Sequence, residues 1–173
     1  MLRPATSADL DAILAWRNQD ANREVSLTTH VISPSEHRAW WDRVDADPTR
    51  HVLVHESDGV PCGAVSFFDV TPTVASWGFY LDHDGLEERG GTLGVWMAVM
   101  REASAHAFDD LGVDELRGEV SADNRVVRQM NRRFGFTETG EEQVVDGRTF
   151  LAICLTRDEH ARRVARRARR DTP

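Results

Sequence analysis

The chain has 173 residues, 40% of them hydrophobic, and a formal net charge of −8. This length suits one domain, and the charge argues against nucleic-acid binding over the whole surface. With no apolar run near the ~20 residues of a membrane span and no signal peptide, we expect a cytoplasmic protein without a membrane partner. The two cysteines, Cys62 and Cys154, belong to no cluster with metal-ligand spacing, so no metal is expected.

Two helices and three strands are predicted in the first half of the chain. The residues from Thr6 to Asp9 offer N-caps ahead of apolar positions at helical spacing, and Ser33 with Glu36 forms a capping box for a second helix. The apolar period then changes to two. This change predicts strands over 51–54, 63–68 and 74–81, with a turn at Asp58 and Gly59 between the first two.

The second half begins with a Gly-rich loop, 89–94, that leads into a helix ending near residue 110. A strand over 115–120 follows, then a helix over 124–134, two strands over 136–142 and 149–156, and a polar helix over 158–170. This order predicts an α/β (α+β mixed) fold, in which helices pack on a mixed sheet. We assign residues 1–157 to a single domain and 158–173 to a basic C-terminal helix or tail.

Four stretches in this order resemble the GNAT superfamily of acyl-CoA N-acyltransferases. They are Trp77-Gly78-Phe79-Tyr80-Leu81, Arg89-Gly90-Gly91-Thr92-Leu93-Gly94, Asp123-Asn124 before a helix, and Phe134-Gly135-Phe136 after it. The resemblance implies the GNAT fold, with a splayed central sheet flanked by helices. It also implies transfer of an acetyl group from acetyl-CoA to an amine.

The Gly-rich loop suits the pyrophosphate of coenzyme A. A glycine turn that opens a helix offers unpaired backbone N–H groups and the positive end of the helix dipole. Arg89 can add charge-assisted hydrogen bonds. A second register, counted back from Phe108, makes Gly94 the middle glycine and Trp96 the last position. By resemblance, further contacts to the coenzyme are expected from Trp77, Phe79, Tyr80, Leu81, Asn124 and Asn131.

The N-terminal third is similar to a narrower group, the amino-sugar N-acetyltransferases of the pseudaminic-acid pathway type. The stretches 14–18 and 30–40 carry this likeness, which implies that the acceptor is an amine on a nucleotide-linked sugar. The expected substrate-binding residues are Trp16, Arg17, Asn18, His30 and Trp40, with Arg23, Arg38 and Trp41 as further candidates for the nucleotide. The same Trp-Arg-Asn occurs in relatives that acetylate ribosomal-protein N-termini and antibiotics, so a peptide acceptor stays open.

The catalytic groups depart from the family pattern. Ser76 stands where a strand carboxylate often lies, and Asn131 stands where a helix tyrosine often lies. Our first candidate for the general base is Glu119, acting directly or through Ser76 and water, because a buried carboxylate there would have a raised pKa. His37 is the second candidate, and His30 also lies on the acceptor side.

The segment from Arg157 to the end of the sequence carries seven arginines against three acids. Its apolar stripe consists of Ala161, Val164, Ala165 and Ala168. We expect the segment to be dispensable for acetyl-CoA binding. The alternatives are an aminoacyl-tRNA-dependent acyltransferase that binds tRNA through this tail, and a non-catalytic binding module. Either a monomer or a homodimer is compatible with the sequence.

Overall fold

The computed structural model describes residues 1–170, and the last three residues of the predicted tail, 171–173, lie outside the described part. The strands are β1 (Leu2–Pro4), β2 (His51–Ser57), β3 (Val60–Phe68), β4 (Val74–Leu81), β5 (Glu115–Ser121), β6 (Thr137–Val145) and β7 (Arg148–Thr156). The helices are α1 (Leu10–Asn18), α2 (Asp20–Arg23), α3 (Pro34–Asp45), α4 (His83–Glu88), α5 (Thr92–Ala105), α6 (Arg125–Phe134) and α7 (Arg157–Arg170). A 3₁₀ turn, Ser7–Asp9, precedes α1, and a π-helical turn, His106–Asp110, follows α5.

The strands form a seven-stranded sheet in the order β1-β2-β3-β4-β5-β7-β6. The sheet is mixed, because β4 and β5 run parallel whereas β1 and β2, β2 and β3, β5 and β7, and β6 and β7 are antiparallel. The parallel pairing runs from Val74 opposite Glu115 to Ser76 opposite Arg117, although β4 itself continues to Leu81. The predicted fold class, a mixed sheet with helices, is confirmed. Within residues 1–170, no helix is long and apolar enough to cross a membrane.

The backbone contacts divide the chain into two compact units, and β4 passes from one to the other after Ser76. The first unit comprises Met1–Val70 and Trp77–Ala103. Its core is formed where α1 and α3 pack on β2 and β3, and it includes the buried side chains of Ile13, Trp16, Val44, Val52, Val54 and Ala64. Apolar residues at helical spacing on α1 therefore meet apolar residues of the strands, as the two periodicities predict.

Local signals in the first unit lead to the structures they predict. The Ser33 N–H donates to Glu36 Oε2 at 2.8 Å, and the Glu36 N–H donates to Ser33 Oγ at 3.3 Å, so the capping box at the start of α3 is confirmed. The turn between β2 and β3 has positive φ angles at Asp58 and Gly59, 53° and 76°. These conformations suit Asp and Gly better than other residue types.

The second unit contains Thr71–Ser76 and residues 104–170. Asn124 caps α6 by accepting a hydrogen bond from the Val127 N–H at 3.1 Å, and Gly135 ends that helix with a φ of 95°. Asp146 and Gly147, both with positive φ, form the predicted hairpin turn between β6 and β7.

The C-terminal helix packs on the second unit through a face other than its apolar stripe. The expected stripe of alanines and Val164 is exposed to solvent. The packed face instead carries Arg157, whose guanidinium binds main-chain oxygens, and His160, whose ring lies 4.9 Å from that of Phe108. A β-carbon on Gly135 would lie 2.6 Å from Arg163 Cδ, so α7 also covers the end of α6. Long side chains can cover a core with their stems, so the helix packs without burying its apolar stripe.

Three short elements, β1, α2 and α4, were not predicted. The start of α4 depends on Gln19, whose amide donates to Asp82 Oδ1 at 2.9 Å and accepts from the His83 N–H at 2.7 Å. Gln19 is more than sixty residues from these partners, so its contribution could not be predicted locally, although Asp82 also caps the helix by accepting from the Gly85 N–H at 3.2 Å. The start of α5 also differs, since that helix begins at Thr92, inside the predicted loop.

Candidate active site

A cavity of about 410 Å³ lies within the first unit. Its lining comes from α1, the segment after α2, α3, and the ends of β2, β3 and β4. The lining residues are Arg17, His30, Ile32, Glu36, His37, Trp40, Val44, Arg50, Val52, Ser66, Phe67, Phe68 and Tyr80. This volume is in the range of small-molecule sites, and an apolar wall with a few polar groups is typical of them. Three of the five predicted substrate-binding residues, Arg17, His30 and Trp40, therefore meet in one cavity.

His37 presents a buried, neutral imidazole to this cavity. Its side chain is 5% exposed and stacks on Trp40, with ring centroids 5.0 Å apart. Burial lowers the pKa of His37, although a hydrogen bond to the Leu10 backbone opposes the shift. Among residues 1–170, its Nε2 is buried and has no hydrogen-bond partner. A neutral imidazole that carries its proton on Nδ1 would leave the lone pair on Nε2.

Arg17 is the second buried polar group of the cavity. Its Nη2 donates to both the main-chain oxygen and the Oγ1 of Thr28, each at 2.8 Å. Its Nη1 is buried and has no hydrogen-bond partner in residues 1–170. Burial lowers the pKa of the guanidinium, which nevertheless stays protonated at neutral pH because its ordinary pKa is above ~12. The chain thus keeps a desolvated cation at this cavity.

Tyr80 contributes a phenol to the same cavity. Burial raises the pKa of its hydroxyl, and the nearby Arg17 opposes that shift. The hydroxyl is therefore protonated at neutral pH. The side chain also packs against the core of α1, α3 and the two strands.

Two of the predicted substrate-binding residues, Trp16 and Asn18, do not line the cavity but support elements that do. Asn18 exchanges two hydrogen bonds with Ile32, since its Nδ2 donates to the Ile32 oxygen and its Oδ1 accepts from the Ile32 N–H, both at 2.9 Å. Trp16 is buried in the core. Neither residue lines the cavity, so Asn18 positions the segment that carries His30 and Trp16 supports α1.

The candidates suggested for a nucleotide lie elsewhere in the first unit. Arg23 forms an ion pair with Asp20 and a hydrogen bond to the Thr29 oxygen, and Arg38 is exposed. Trp41 packs against the core. None of the three lines the cavity. Arg50, which was not among the predicted candidates, lines the cavity instead.

Arg50 and Phe68 reach the cavity from the ends of two paired strands. His51 lies opposite Phe67 in the β2–β3 ladder, which brings the preceding Arg50 close to Phe68. The Arg50 guanidinium carbon is 5.9 Å from the centre of the Phe68 ring. No local motif marks this pair, because the antiparallel register creates it. Only a correct strand pairing could have identified them.

The Gly-rich segment is built differently from the loop that the sequence suggested. The Gly90 and Gly91 N–H groups donate to the Glu87 and Leu86 oxygens and so close the end of α4. These two N–H groups are therefore already paired, and the expected contact of Gly90 and Gly91 with the coenzyme stays a prediction. The first bond of α5 runs from Val95 N–H to the Gly91 oxygen. The free N–H groups of the first turn are therefore those of Thr92, Leu93 and Gly94, because helix geometry leaves them without an intrahelical acceptor.

The space around this first turn is open. A β-carbon added to Gly94 would meet no atom within 4 Å, and the same holds for Gly90, which has a φ of 67°. The Arg89 guanidinium is partly exposed and lies 3.8 Å from Asp82 Oδ2. A phosphate can thus approach the N-terminus of α5, where the helix dipole is positive.

The predicted coenzyme-binding residues of β4 point their side chains into packed surroundings. Trp77 stacks between Phe67 and Phe79, with centroid distances of 6.5 and 5.5 Å, and Leu81 is buried. Phe79 meets Trp96 edge-on at 5.8 Å. The expected coenzyme contacts were main-chain contacts, and they stay a prediction.

Glu119, the first candidate for the base, is exposed on β5 of the second unit and accepts a hydrogen bond from Gln143 of β6. The buried carboxylate that the hypothesis required is not found. Ser76 lies opposite Arg117 in the same unit. Asn131 is buried, and Asn124 is engaged as a helix cap. Among residues 1–170, no group of His, Cys, Asp or Glu is placed to hold a metal ion.

Comparisons with known proteins agree with the resemblance seen in the motifs. A family model described as an acetyltransferase (GNAT) domain matches residues 1–137. Acetyltransferase PseH of Campylobacter jejuni (strain 81-176) is 25% identical over 154 residues, which cover 88% of this chain and 89% of that protein.

Two solved structures are similar in fold. The spermidine N-acetyltransferase from Vibrio cholerae, in complex with CoA and spermine, has a TM-score of 0.80 at 15% identity and covers 93% of this chain and 97% of its own. Campylobacter jejuni N-acetyltransferase PseH, in complex with acetyl coenzyme A, has a TM-score of 0.65 at 17% identity and covers 91% and 99%.

Proposed function

From the premise that the chain belongs to the GNAT acetyltransferase family, we propose that it acetylates the primary amine of a nucleotide-linked amino sugar. It is an acetyl-CoA-dependent N-acetyltransferase, and acetyl-CoA is its acyl donor. The observation that carries the acceptor proposal is the cavity of the first unit, where Arg17, His30 and Trp40 meet. The likeness of 14–18 and 30–40 to amino-sugar N-acetyltransferases supports the choice of acceptor.

The N-terminus of α5 fits the pyrophosphate of the donor. Thr92, Leu93 and Gly94 offer three backbone N–H groups, and Gly94 leaves the approach open. Arg89 adds positive charge beside them. Acetyl-CoA supplies an activated acetyl thioester, so the protein has to position the amine and remove its proton.

We assign the general base to His37 rather than Glu119. A base must take a proton from the ammonium of the acceptor before the nitrogen can attack. His37 borders the acceptor cavity, its ring stacks on Trp40, and its Nε2 has no hydrogen-bond partner in residues 1–170. The lowered pKa of His37 keeps it neutral at neutral pH. Glu119, in contrast, is exposed and engaged by Gln143.

The acceptor is tested by measuring coenzyme A release with a panel of amines. The panel contains a nucleotide-linked amino deoxysugar, spermine, an aminoglycoside and a peptide with a free N-terminal amine. We expect the highest kcat/KM with the nucleotide sugar. Turnover with the peptide alone would reject the sugar and favour a protein N-terminus. Loss of turnover in the presence of every amine, with aminoacyl-tRNA as the only productive donor, would reject acetyl-CoA chemistry.

A further inference from the structure

The side chain of Gln19, at the end of α1, bridges to the start of α4. Its Nε2 donates to Asp82 Oδ1 at 2.9 Å, and its Oε1 accepts from the His83 N–H at 2.7 Å. One amide therefore uses its donor and its acceptor on two successive residues. The amide of Asn22, which is 4% exposed, donates to the oxygen of the preceding Leu81 at 2.8 Å. The end of α1 and the short α2 thus fix the point at which β4 passes into α4.

The bridged residues lead directly to the proposed pyrophosphate site. Asp82 caps α4 by accepting from the Gly85 N–H at 3.2 Å, and its Oδ2 lies 3.8 Å from Nη2 of Arg89. The helix has six residues, of which only Leu86 is buried, and α5 begins four residues after its end, at Thr92. So short a helix is held by its contacts rather than by its own hydrogen bonds. The position of Arg89 and of the α5 N-terminus therefore depends on the contacts at the start of α4.

The two residues before Gln19 hold the acceptor cavity. Arg17 donates to the main-chain oxygen and the hydroxyl of Thr28, and Asn18 exchanges two hydrogen bonds with Ile32. Ile32 is itself a lining residue of the cavity. Three successive residues at the end of α1 thus contact the wall of the acceptor cavity and the segment that leads to the donor site.

We propose that Gln19 is a positioning residue, which holds the donor site at a fixed distance from the acceptor cavity through its bonds to Asp82 and His83. The inference rests on the donor site of the proposed function, at the N-terminus of α5. Acetyl transfer needs the amine nitrogen and the thioester carbon about 3–3.5 Å apart, and a misplacement of about 1 Å can lower the rate roughly 10²-fold. A fixed α4 also spares acetyl-CoA the cost of ordering its own site on binding.

Calorimetric titration of acetyl-CoA in the absence of any acceptor measures the effect on the donor site. Q19L keeps the approximate size of the side chain but removes both hydrogen bonds, so we expect acetyl-CoA to bind roughly tenfold more weakly. The matched control Q143L removes a glutamine–carboxylate hydrogen bond on β6 of the second unit and should bind with wild-type affinity. Equal affinities of Q19L and the wild-type protein would overturn the inference.

A paired substitution tests the contact itself. Q19E places a second carboxylate against Asp82, and repulsion between the like charges should weaken acetyl-CoA binding at least as much as Q19L does. In Q19E/D82N, the amide nitrogen of the asparagine can donate to the introduced carboxylate, while the amide oxygen still accepts from the Gly85 N–H. The affinity should therefore return to within about threefold of the wild-type value. A double variant that binds as weakly as Q19E would overturn the role of this contact.

Hydrogen exchange of the protein without acetyl-CoA separates positioning from a general loss of stability. In Q19L, the backbone amides of residues 83–91 should exchange faster, whereas those of β2 and β3 should keep their protection. A uniform increase in exchange would make Gln19 a structural residue and overturn the inference. With saturating acetyl-CoA, kcat of Q19L should fall while KM for the acceptor stays within about threefold.

The titration is independent of the identity of the acceptor. If no nucleotide sugar is acetylated, the proposed acceptor fails, but the comparison of Q19L with the wild-type protein stands because it contains no amine. If the wild-type protein binds acetyl-CoA and Q19L binds it equally well, the role of Gln19 fails and the acetyltransferase remains.

Discussion

The guanidinium of Arg157 donates a hydrogen bond from Nη2 to the main-chain oxygen of Val113, at 2.6 Å. Its Nη1 donates to the Phe108 oxygen at 2.8 Å, and the guanidinium carbon lies 5.8 Å from the centre of the Phe108 ring. Arg157, the first residue of α7, therefore connects the π-helical turn to the segment before β5 through hydrogen bonds. The helix is part of the second unit rather than an appendage.

Truncation after Thr156 should consequently destabilise the protein. We expect a loss of at least about 3 kcal/mol in the free energy of unfolding, since two charge-assisted hydrogen bonds disappear and Phe108 becomes exposed. The matched control ends after Val164, which keeps Arg157, His160 and Arg163 but removes the terminal arginines, and it should unfold at nearly the wild-type urea concentration. Equal stability of the two truncations would contradict this structural role of Arg157 and His160.

The N-terminus of α5 offers a substitution that should separate folding from donor binding. G94E replaces a helical glycine by a good helix former in open space, so it should raise the free energy of unfolding by roughly 0.5–1 kcal/mol. It also places a carboxylate beside the proposed pyrophosphate site and should weaken acetyl-CoA binding at least about tenfold. Calorimetric titration measures the affinity. G94A should share the gain in stability and keep most of the affinity, and unchanged affinity in G94E would move the donor site elsewhere.

Two buried histidines and one partly buried histidine should make the fold sensitive to mild acid. Burial lowers the pKa of His37, His55 and His160 below the ordinary value of about 6.5. Their neutral forms are therefore favoured in the folded state. The stability they confer is complete above pH 6.5 and is lost as the pH falls through the lower folded-state values. Each contributes a slope of up to about 1.4 kcal/mol per pH unit.

Urea unfolding between pH 7.5 and 5 measures this dependence. H55Q should reduce the pH dependence of the free energy of unfolding by the contribution of about one histidine. His55 is 2% exposed, so it takes up its proton only when the protein unfolds. Carboxylates such as Asp9, whose pKa is lowered to about 2, titrate below this window and do not contribute to it. A flat profile for the wild-type protein, or an unchanged slope in H55Q, would contradict the assignment.

The sequence predicts features that depend on neighbouring residues. The capping box of Ser33 and Glu36, the cap of Asn124, the left-handed Gly135 and the turn at Asp146 and Gly147 are all within a few residues of their partners. Each was correctly predicted because the hydrogen bond or the backbone angle is local. The GNAT motifs on β4 and α6 were likewise sufficient to identify the family.

Features that depend on residues distant in sequence could not be predicted from local patterns. The start of α4 needs Gln19, and the position of Arg50 in the cavity needs the register of β2 against β3. The exposure of Glu119, in contrast, was predictable, because β5 alternates between the buried side chains of Leu116 and Val120 and an opposite, polar face that carries Glu119. His37 could be named as a candidate from its residue type, but its stacking on Trp40 and its bond to Leu10 emerged only from the fold.

The choice between His37 and Glu119 as the base can be made from the pH dependence of kcat/KM. A histidine base with a lowered pKa should give an acidic limb below pH 6.5, because protonation of Nε2 removes the lone pair. H37Q should abolish this limb and lower kcat/KM by roughly 10²- to 10⁴-fold. The amide of glutamine can still bind but cannot accept the proton.

E119Q is the matched comparison, since it neutralises the other candidate on an exposed strand position where the fold should tolerate the change. We expect its kcat/KM and its pH profile to match those of the wild-type protein. Retention of the acidic limb in H37Q together with its loss in E119Q would reverse the assignment. If both variants kept the limb and most of the activity, catalysis would depend on positioning of the amine beside an already activated thioester, and His37 would be a packing residue of the acceptor cavity. The urea midpoint of H37Q shows whether a loss of activity is caused by unfolding, because His37 is buried between α1 and Trp40. The comparison of activities is valid only if the variant remains folded.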